Sequence, residues 1–357
     1  MTGWDRWLDR AARIAWRGHG GAEPNPMVGC VILDRDGQPV AEGHHRRCGG
    51  PHAEVEALRH AGERARGGTA IVTLEPCNHH GRTGPCSQAL LRAGIARVVF
   101  ACPDPNPAAA GGAKTLRDAG VEVVQVDHRG ARAVTEPFVA RRATGRPWVI
   151  AKWAESADGR MVTPPGQTKW ISGERSRAMV HRERGRVDAV LTGMGTVLAD
   201  DPLLTVRGTT PRRTPMRVVW DPRLGMPTGS ALVRTARDVP LLVACTPSAW
   251  AAHTPRAEEL RALGARVEPH ADPGELLQSL GARGASTVLV EAGPALTGQL
   301  LREGLVDIAW VFTAPHHLGP GGTREQAPVD ACARAAWPVE WSGLRGRDRV
   351  TIYRVPR

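Results

Sequence analysis

Two short segments concentrate the reactive side chains of this chain: Pro51-His52-Ala53-Glu54, and Glu75-Pro76-Cys77 running on to Pro85-Cys86. They offer one imidazole, two thiols and a spare carboxylate. Three nitrogen and sulfur donors with a fourth position left open is the ligand set of catalytic zinc, whereas structural zinc is closed by a fourth protein ligand. Two thiolates and a neutral imidazole also balance the charge of Zn2+. Such an ion lowers the pKa of a bound water from about 15.7 to about 7. Glu54, two residues from His52, is the carboxylate that can take the proton and pass it to a leaving amine. His52, Cys77 and Cys86 are therefore expected as metal ligands and Glu54 as the catalytic acid–base. Taken singly, His52 or Cys77 reads as a core residue, cysteine acting as a small hydrophobe. The four together, each beside a proline or a strand end, carry the reading.

These side chains need elements to present them. Pro51 and Pro85 sit like first-turn prolines, each followed by apolar residues at helical spacing, so two helix N-termini are expected to face the metal. The positive end of a helix dipole favours thiolate over thiol. Residues 69–74 read as a buried strand that delivers Cys77 beyond its C-terminal end. An amphipathic helix over 4–16 opens the chain, its Trp4, Trp7 and Leu8 stripe reading as core. Strands over 28–33 and 39–43 flank a turn at 34–37, and strands over 98–102 and 121–126 enclose a helix over 114–119. Alternating strands and helices give a sheet covered on both faces. His44, His45 and Cys48 are too irregularly spaced to suggest a second metal site, and His79 and His80 are not needed as ligands.

A length of 357 residues calls for two domains, expected at 1–143 and 147–357 with a linker across 144–147. The formal charge of +11 fits a nucleic acid, a phosphorylated small molecule or a simple arginine bias. With 4% aromatic residues, mostly Trp, there is no ladder of stacking platforms for single strands. The seven cysteines lack the spacing of a disulfide framework, which suits a reducing compartment and hence the cytoplasm. The first residues lack the hydrophobic core of a signal peptide, and no run of about 18 apolar residues suggests a membrane span.

The His-x-Glu and Pro-Cys…Cys pattern is that of zinc-dependent base deaminases, with one departure. Residues 78–85 separate the cysteines, where nucleobase editors carry two residues. Residues 73–86 (TLEPCNHHGRTGPC) and 24–32 (PNPMVGCVI) resemble the deaminase half of the bifunctional riboflavin-biosynthesis deaminase/reductase family. The resemblance implies a cytidine-deaminase-like α/β/α sandwich, closing near Arg142, with Asn25 against the substrate pyrimidine. A plain Asx turn is the other reading of Asn25.

Residue periods alone leave the second half as an α/β domain of unstated task. Gly193-Met194-Gly195 has only the first two glycines of a dinucleotide fingerprint. The resemblance reaches further. Residues 152–160 (KWAESADGR), 170–173 (WISG), 187–193 (VDAVLTG), 196–207 (TVLADDPLLTVR) and 290–294 (VEAGP) are similar to the family's reductase domain, which has a dihydrofolate-reductase-like α/β fold and uses NADPH. By matching position it implies cofactor contacts at Trp170, Thr196 and Asp200. It also implies a phosphate loop of Gly293, Pro294, Ala295, Leu296, Thr297, Gly298 and Gln299, where backbone N–H groups at a helix start hold anions. A phosphoribosyl substrate then lies among Thr168, Arg184, Leu204, Arg207 and Glu291. Arginine suits phosphate because its fork makes two parallel charged hydrogen bonds. A solvated surface charge is the other reading, more so for Arg184 than for Arg207. Departures from the family pattern are Ala157 for leucine and Thr168-Lys169 for Ser-Gln. Glu155 stands where a small or apolar residue is usual, beside the expected nicotinamide. It is counted with the cofactor-binding residues, either opposing NADPH or turned to solvent.

The implied function is riboflavin biosynthesis in two steps. Zinc-dependent hydrolysis deaminates 2,5-diamino-6-(5-phosphoribosylamino)pyrimidin-4(3H)-one, and NADPH then reduces the ribosyl chain to give 5-amino-6-(5-phosphoribitylamino)uracil. The phosphorylated pyrimidine, Zn2+ and NADPH are the expected ligands, in a homo-oligomer without nucleic acid or membrane. One alternative is a deaminase whose C-terminal domain has lost reduction. A basic nucleic-acid-binding or editing protein is disfavoured by the long inter-cysteine segment and by a second half without a nucleic-acid module.

Overall fold

The structure is a computed structural model, and it describes residues 3–79, 84–161, 163, 170–319, 328–329 and 331–356. The chain divides into two compact units, residues 1–145 and 146–357.

In chain order the first unit holds α1 (Asp5–Ala15), β1 (Gly29–Leu33), β2 (Pro39–His44), α2 (Ala53–Ala61), β3 (Thr69–Leu74), α3 (Cys86–Arg92), β4 (Arg97–Cys102), α4 (Gly112–Asp118), β5 (Glu122–Gln125) and α5 (Arg129–Thr144). Its five-stranded sheet has the order β2-β1-β3-β4-β5. β1 runs antiparallel to β2 and β3, and β3, β4 and β5 run parallel. Every residue of β1 and β3 is buried, which explains why neither alternates apolar with polar residues: strands covered on both faces have no solvent side to alternate with. α1 lays Leu8, Ala11, Ala12, Ile14 and Ala15 into the core. Trp4 and Trp7 pack against that core from its edge, while Trp16 is exposed.

The fold corrects one expectation from the sequence. The prolines do not occupy first helical turns. His52 is the N-cap of α2 and Pro85 the N-cap of α3, and their extended backbones (ψ 163° and 135°) lie outside the helices. The division between the two units falls within the segment 144–147 expected as a linker. Thr144 closes α5, Gly145 ends it at a φ of 75°, where glycine avoids the Cβ clash, and Arg146 already belongs to the second unit. There its guanidinium forks onto Asp307 at 2.7 and 2.8 Å, with both side chains buried.

The second unit holds β6 (Trp148–Glu155), α6 (Glu174–Arg184), β7 (Ala189–Gly193), α7 (Met194–Asp200), β8 (Met216–Trp220), α8 (Ala231–Arg234), β9 (Leu241–Cys245), α9 (Pro247–Ala252), α10 (Thr254–Ala262), β10 (Arg266–Pro269), α11 (Pro273–Ala282), β11 (Thr287–Val290), α12 (Pro294–Arg302), β12 (Ile308–Thr313), α13 (Ala331–Arg334), β13 (Val339–Arg345) and β14 (Asp348–Arg354). Its nine-stranded sheet has the order β10-β9-β8-β7-β11-β6-β12-β14-β13. The strands from β10 to β12 are parallel, and β14 and β13 add an antiparallel hairpin at one edge. This is the dihydrofolate-reductase-like arrangement that the resemblance implied. The chain winds outward from β7 to β10, then returns to insert β11 between β7 and β6. Such a reversal opens a crevice at the carboxyl ends of the strands involved, the usual ligand position in open α/β sheets.

Candidate active sites

In the first unit, β3 ends at Leu74 and the chain passes Glu75-Pro76 to Cys77, while His52 caps α2 and Cys86 opens α3. His52 Nδ1 lies 3.4 Å from Cys77 Sγ and 3.3 Å from Cys86 Sγ. All three donor atoms fall within 4.8 Å of one another, the one such cluster of His, Cys, Asp and Glu among the described residues. The Cys86 backbone N–H donates to Cys77 Sγ at 3.4 Å, so the start of α3 favours a thiolate there. The Cys77 thiol is drawn down to about 4, first by its hydrogen bond with Cys86 and then, against burial, by His52. Cys86 is pushed well up, because it shares its proton with the Cys77 thiolate and is buried. A bound cation would take the place of that shared proton. Two sulfurs and one imidazole nitrogen converging in a buried spot fit Zn2+ in their donor chemistry.

Glu54, in the first turn of α2, is 3% exposed and hydrogen-bonds with Cys86. Burial raises its pKa to about 7, with His52 pulling the other way. A carboxyl group poised near neutrality can both accept and donate a proton. Asn25 stands nearby. Its Nδ2 lies 3.2 Å from His45 Nε2, and His45 Nδ1 lies 2.9 Å from the Pro51 carbonyl. The His45 ring meets His52 edge-to-face, with centroids 5.2 Å apart. Burial lowers the His45 pKa, so the ring is neutral, donating from Nδ1 to Pro51 and accepting at Nε2 from Asn25. The Asn25 side chain thus engages His45 rather than the backbone of its own turn. His45 is a site residue that sequence reasoning missed, having weighed it only as a metal ligand. His80 lies outside the described residues.

In the second unit, Arg184 closes α6 and forks onto Glu291, just beyond β11, with Nη2 to Oε2 at 2.8 Å and Nε to Oε1 as the second bond. Arg184 Nη1 also donates to the Thr205 carbonyl at 3.0 Å. Both side chains are nearly buried, so the surface-charge reading of Arg184 is corrected. Burial would raise the Glu291 pKa, but Arg184 outweighs it and holds it below the ordinary value. Lys152 of β6 is felt at the same carboxylate, and burial lowers its pKa against that pull. It is a second group that sequence reasoning passed over. Leu204 is buried with a φ of 52°, a left-handed backbone that strains a leucine and is characteristic of binding loops. Arg207 is exposed, and its backbone N–H reaches His181 Nδ1 at 3.3 Å.

Thr196 and Gly293, from separate motifs, meet: the Gly293 N–H donates to Thr196 Oγ1 at 3.1 Å. Gly293 caps α12 and Pro294 follows at its first position. Leu296, Thr297 and Gly298 are buried, whereas Gly293 and Pro294 are half-buried and Ala295 is exposed. Gln299 Nε2 bonds Glu303 along the helix at 2.9 Å. Trp170 is 48% exposed, stacks on Arg177 at 4.9 Å and borders an open cleft of about 560 Å³. Asp200 is exposed at the end of α7. Thr168 lies outside the described residues. Glu155 is buried, forks onto Arg334 at 2.5 and 2.9 Å and accepts from Trp153 Nε1 at 3.1 Å. It does not turn to solvent, and its charge is neutralised inside the protein.

Residues 147–331 match the family described as the RibD C-terminal domain, and residues 1–102 match the cytidine and deoxycytidylate deaminase zinc-binding region. Riboflavin biosynthesis protein RibD of Escherichia coli (strain K12) is 41% identical over 323 residues, covering 88% of each chain. Its counterpart in Actinobacillus pleuropneumoniae is 40% identical over 337 residues, covering 92% of this chain and 87% of that one. Among solved structures, Acinetobacter baumannii RibD (form 1) aligns with a TM-score of 0.81 at 36% identity, over 99% of both chains. A Thermotoga maritima diaminohydroxyphosphoribosylaminopyrimidine deaminase/5-amino-6-(5-phosphoribosylamino)uracil reductase aligns with a TM-score of 0.80 at 31% identity, again over 99% of both.

Proposed function

The chain belongs to the bifunctional riboflavin-biosynthesis deaminase/reductase family, and from that membership we propose which of its residues carry each reaction. It deaminates 2,5-diamino-6-(5-phosphoribosylamino)pyrimidin-4(3H)-one with Zn2+ and reduces the product with NADPH to 5-amino-6-(5-phosphoribitylamino)uracil. We assign deamination to residues 1–143 and reduction to 147–357.

In the first half, His52, Cys77 and Cys86 would hold the zinc, which when bound would supply a water acidic enough to attack at neutral pH. Glu54 would take a proton from the attacking water as its oxygen bonds to the amino-bearing ring carbon. It then delivers the proton to the amine as the C–N bond breaks and ammonia leaves. Asn25, held by the neutral His45, meets the pyrimidine ring. In the second half, Arg184, Glu291, Leu204, Arg207 and Thr168 surround the phosphoribosyl chain. Trp170, Thr196, Asp200 and the backbone that opens α12 seat the dinucleotide. NADPH supplies the hydride for C1′ of the opened ribose, so the protein's task is to align two carbons and exclude water. Of the two features that favoured a chain able only to deaminate, Glu155 and Ala157, the first is neutralised by Arg334 and loses its force.

The observation that carries the proposal is the three-donor cluster with a buried carboxyl against it. Zinc-loaded full-length protein with substrate and NADPH should release ammonia and then oxidise one NADPH per ammonia. A chelator should abolish the ammonia and leave reduction of already deaminated substrate intact. Ammonia without NADPH oxidation would leave a deaminase only. We place the reactions in the cytoplasm, because all seven cysteines are free thiols and two are assigned to the metal. Among the described residues, no helix is long and apolar enough to cross a membrane. We propose no nucleic-acid or membrane partner, and assembly with further copies of the same chain.

A further inference from the structure

Between β3 and the ligand it delivers stands Glu75, a carboxylate the chemistry above does not use. Its Oε1 accepts the backbone N–H groups of Gly111 at 3.2 Å and Ala113 at 3.0 Å, and its Oε2 accepts that of Asp104 at 3.3 Å. Its own N–H donates to the Cys102 carbonyl at 2.8 Å. One residue therefore ties the exit of β3 to both ends of the loop 103–111. Two further contacts run beside it. The Asn78 N–H reaches the Ala109 carbonyl at 2.8 Å. At Gly112 a Cβ would stand 1.8 Å from the Pro76 carbonyl oxygen, so only glycine admits this approach. The loop has no strand or helix of its own, closing through turns in which the Asn106 carbonyl accepts from Ala109 and Ala110. It carries Asp104 into the field of His52 and Cys77.

We propose that Glu75 is a positioning residue of the deaminase centre, holding Cys77 at ligating geometry and presenting the loop 103–111, with Asp104, to the substrate. The proposal rests on the assignment of Cys77 as a zinc ligand. Hydrogen bonds to a carboxylate are roughly twice as strong as neutral ones, and three N–H groups share this one. Outer partners of this kind are worth roughly 10- to 100-fold in metal affinity or activity. Glutamine separates the two duties. Its oxygen keeps Gly111 and Ala113, whereas its amide group meets the Asp104 N–H donor to donor.

The test uses the zinc-loaded full-length chain and a coloured chelator in excess. Glu75→Ala should release zinc roughly 10- to 100-fold faster than the parent. Glu75→Gln should release zinc at the parent rate but raise the deamination KM roughly tenfold at constant kcat, as one charged hydrogen bond is lost. Reduction of deaminated substrate should be unchanged in both. If Glu75→Ala fails to fold, the KM of Glu75→Gln decides alone. Parent-like zinc release and KM in the folded variants overturn the proposal. Cys77→Ser, run in parallel, tells the two assignments apart. Full zinc retention there removes the ligand assignment itself. Zinc loss there with unaltered release from Glu75→Ala removes only the role of Glu75.

Discussion

A carboxyl group that must take a proton and give it back within one turnover needs a pKa near the working pH. Glu54 acquires this from its place rather than its type: full burial in the first turn of α2 raises it to about 7 although His52 opposes the shift. Glu54→Gln keeps the shape and removes the proton traffic. It should retain zinc, since all three donors stay, and lower the deamination kcat by roughly 10²–10⁴ while sparing reduction. Metal analysis and ammonia release measure the two halves of that statement, and near-parent turnover would refute the shuttle. The ligand types His52, Cys77 and Cys86 were legible in the sequence because few side chains bind zinc and their spacing beside prolines is uncommon. His45 and Lys152 were not. His45 matters through bonds to Asn25 and the Pro51 carbonyl, and Lys152 through its nearness to Glu291. Neither relation leaves a pattern in residue spacing. Glu155 was legible as a departure but not as a solved one, since its partner Arg334 stands far along the chain.

At the scale of elements, the end of α6 is tied to the end of β11 by one ion pair, and that tie also fixes the loop after α7 through the Thr205 carbonyl. Arg184→Gln leaves Glu291 buried without its partner, a change that should destabilise the second unit by about 3 kcal/mol. The pH dependence identifies the cause. The pair depresses the folded pKa of Glu291, so its stabilisation is complete above the ordinary value of 4.5 and is lost as pH falls through the lower folded value. In the variant burial acts on Glu291 without Arg184 to oppose it, so the gap between the melting curves of parent and variant should narrow as pH falls from neutrality and close below the lower folded value. A gap that does not narrow would put the loss on the Thr205 bond instead. Strand β3 was legible to the residue, because a mostly apolar, β-branched run between Gly68 and Glu75-Pro76 admits little else. α5 was not, since its interior Pro137 and weak apolar pattern hide sixteen helical residues. The starts of α2 and α3 were misplaced by the prolines, whose fixed φ suits the residues before a helix as well as its first turn. The order of the nine strands was not legible, and the family resemblance implied only the fold class, because pairing between distant strands has no local signal.

For the molecule as a whole, the charge of +11 reads differently once the arginines are placed. Arg146, Arg217 and Arg334 are buried, the first and last forked onto Asp307 and Glu155, and Arg217 spread over the Thr235 and Val239 carbonyls. Part of the basic excess thus ties the second unit together rather than facing a partner. What that unit does present is an apolar edge. Among the described residues β13 forms the edge of the sheet beside β14, and Val339, Trp341 and Leu344 are exposed along it. Exposed edge strands with large apolar side chains invite pairing unless they are covered. The homo-oligomer proposed above is best placed here, with a second copy as the cover. Light scattering should then give a mass above that of one chain. Trp341→Lys combined with Leu344→Lys should reduce it to a single chain with zinc content preserved, because the substitutions lie in the other unit from His52, Cys77 and Cys86. A parent protein that already weighs one chain would end the proposal. A variant that keeps the larger mass would move the contact to another face.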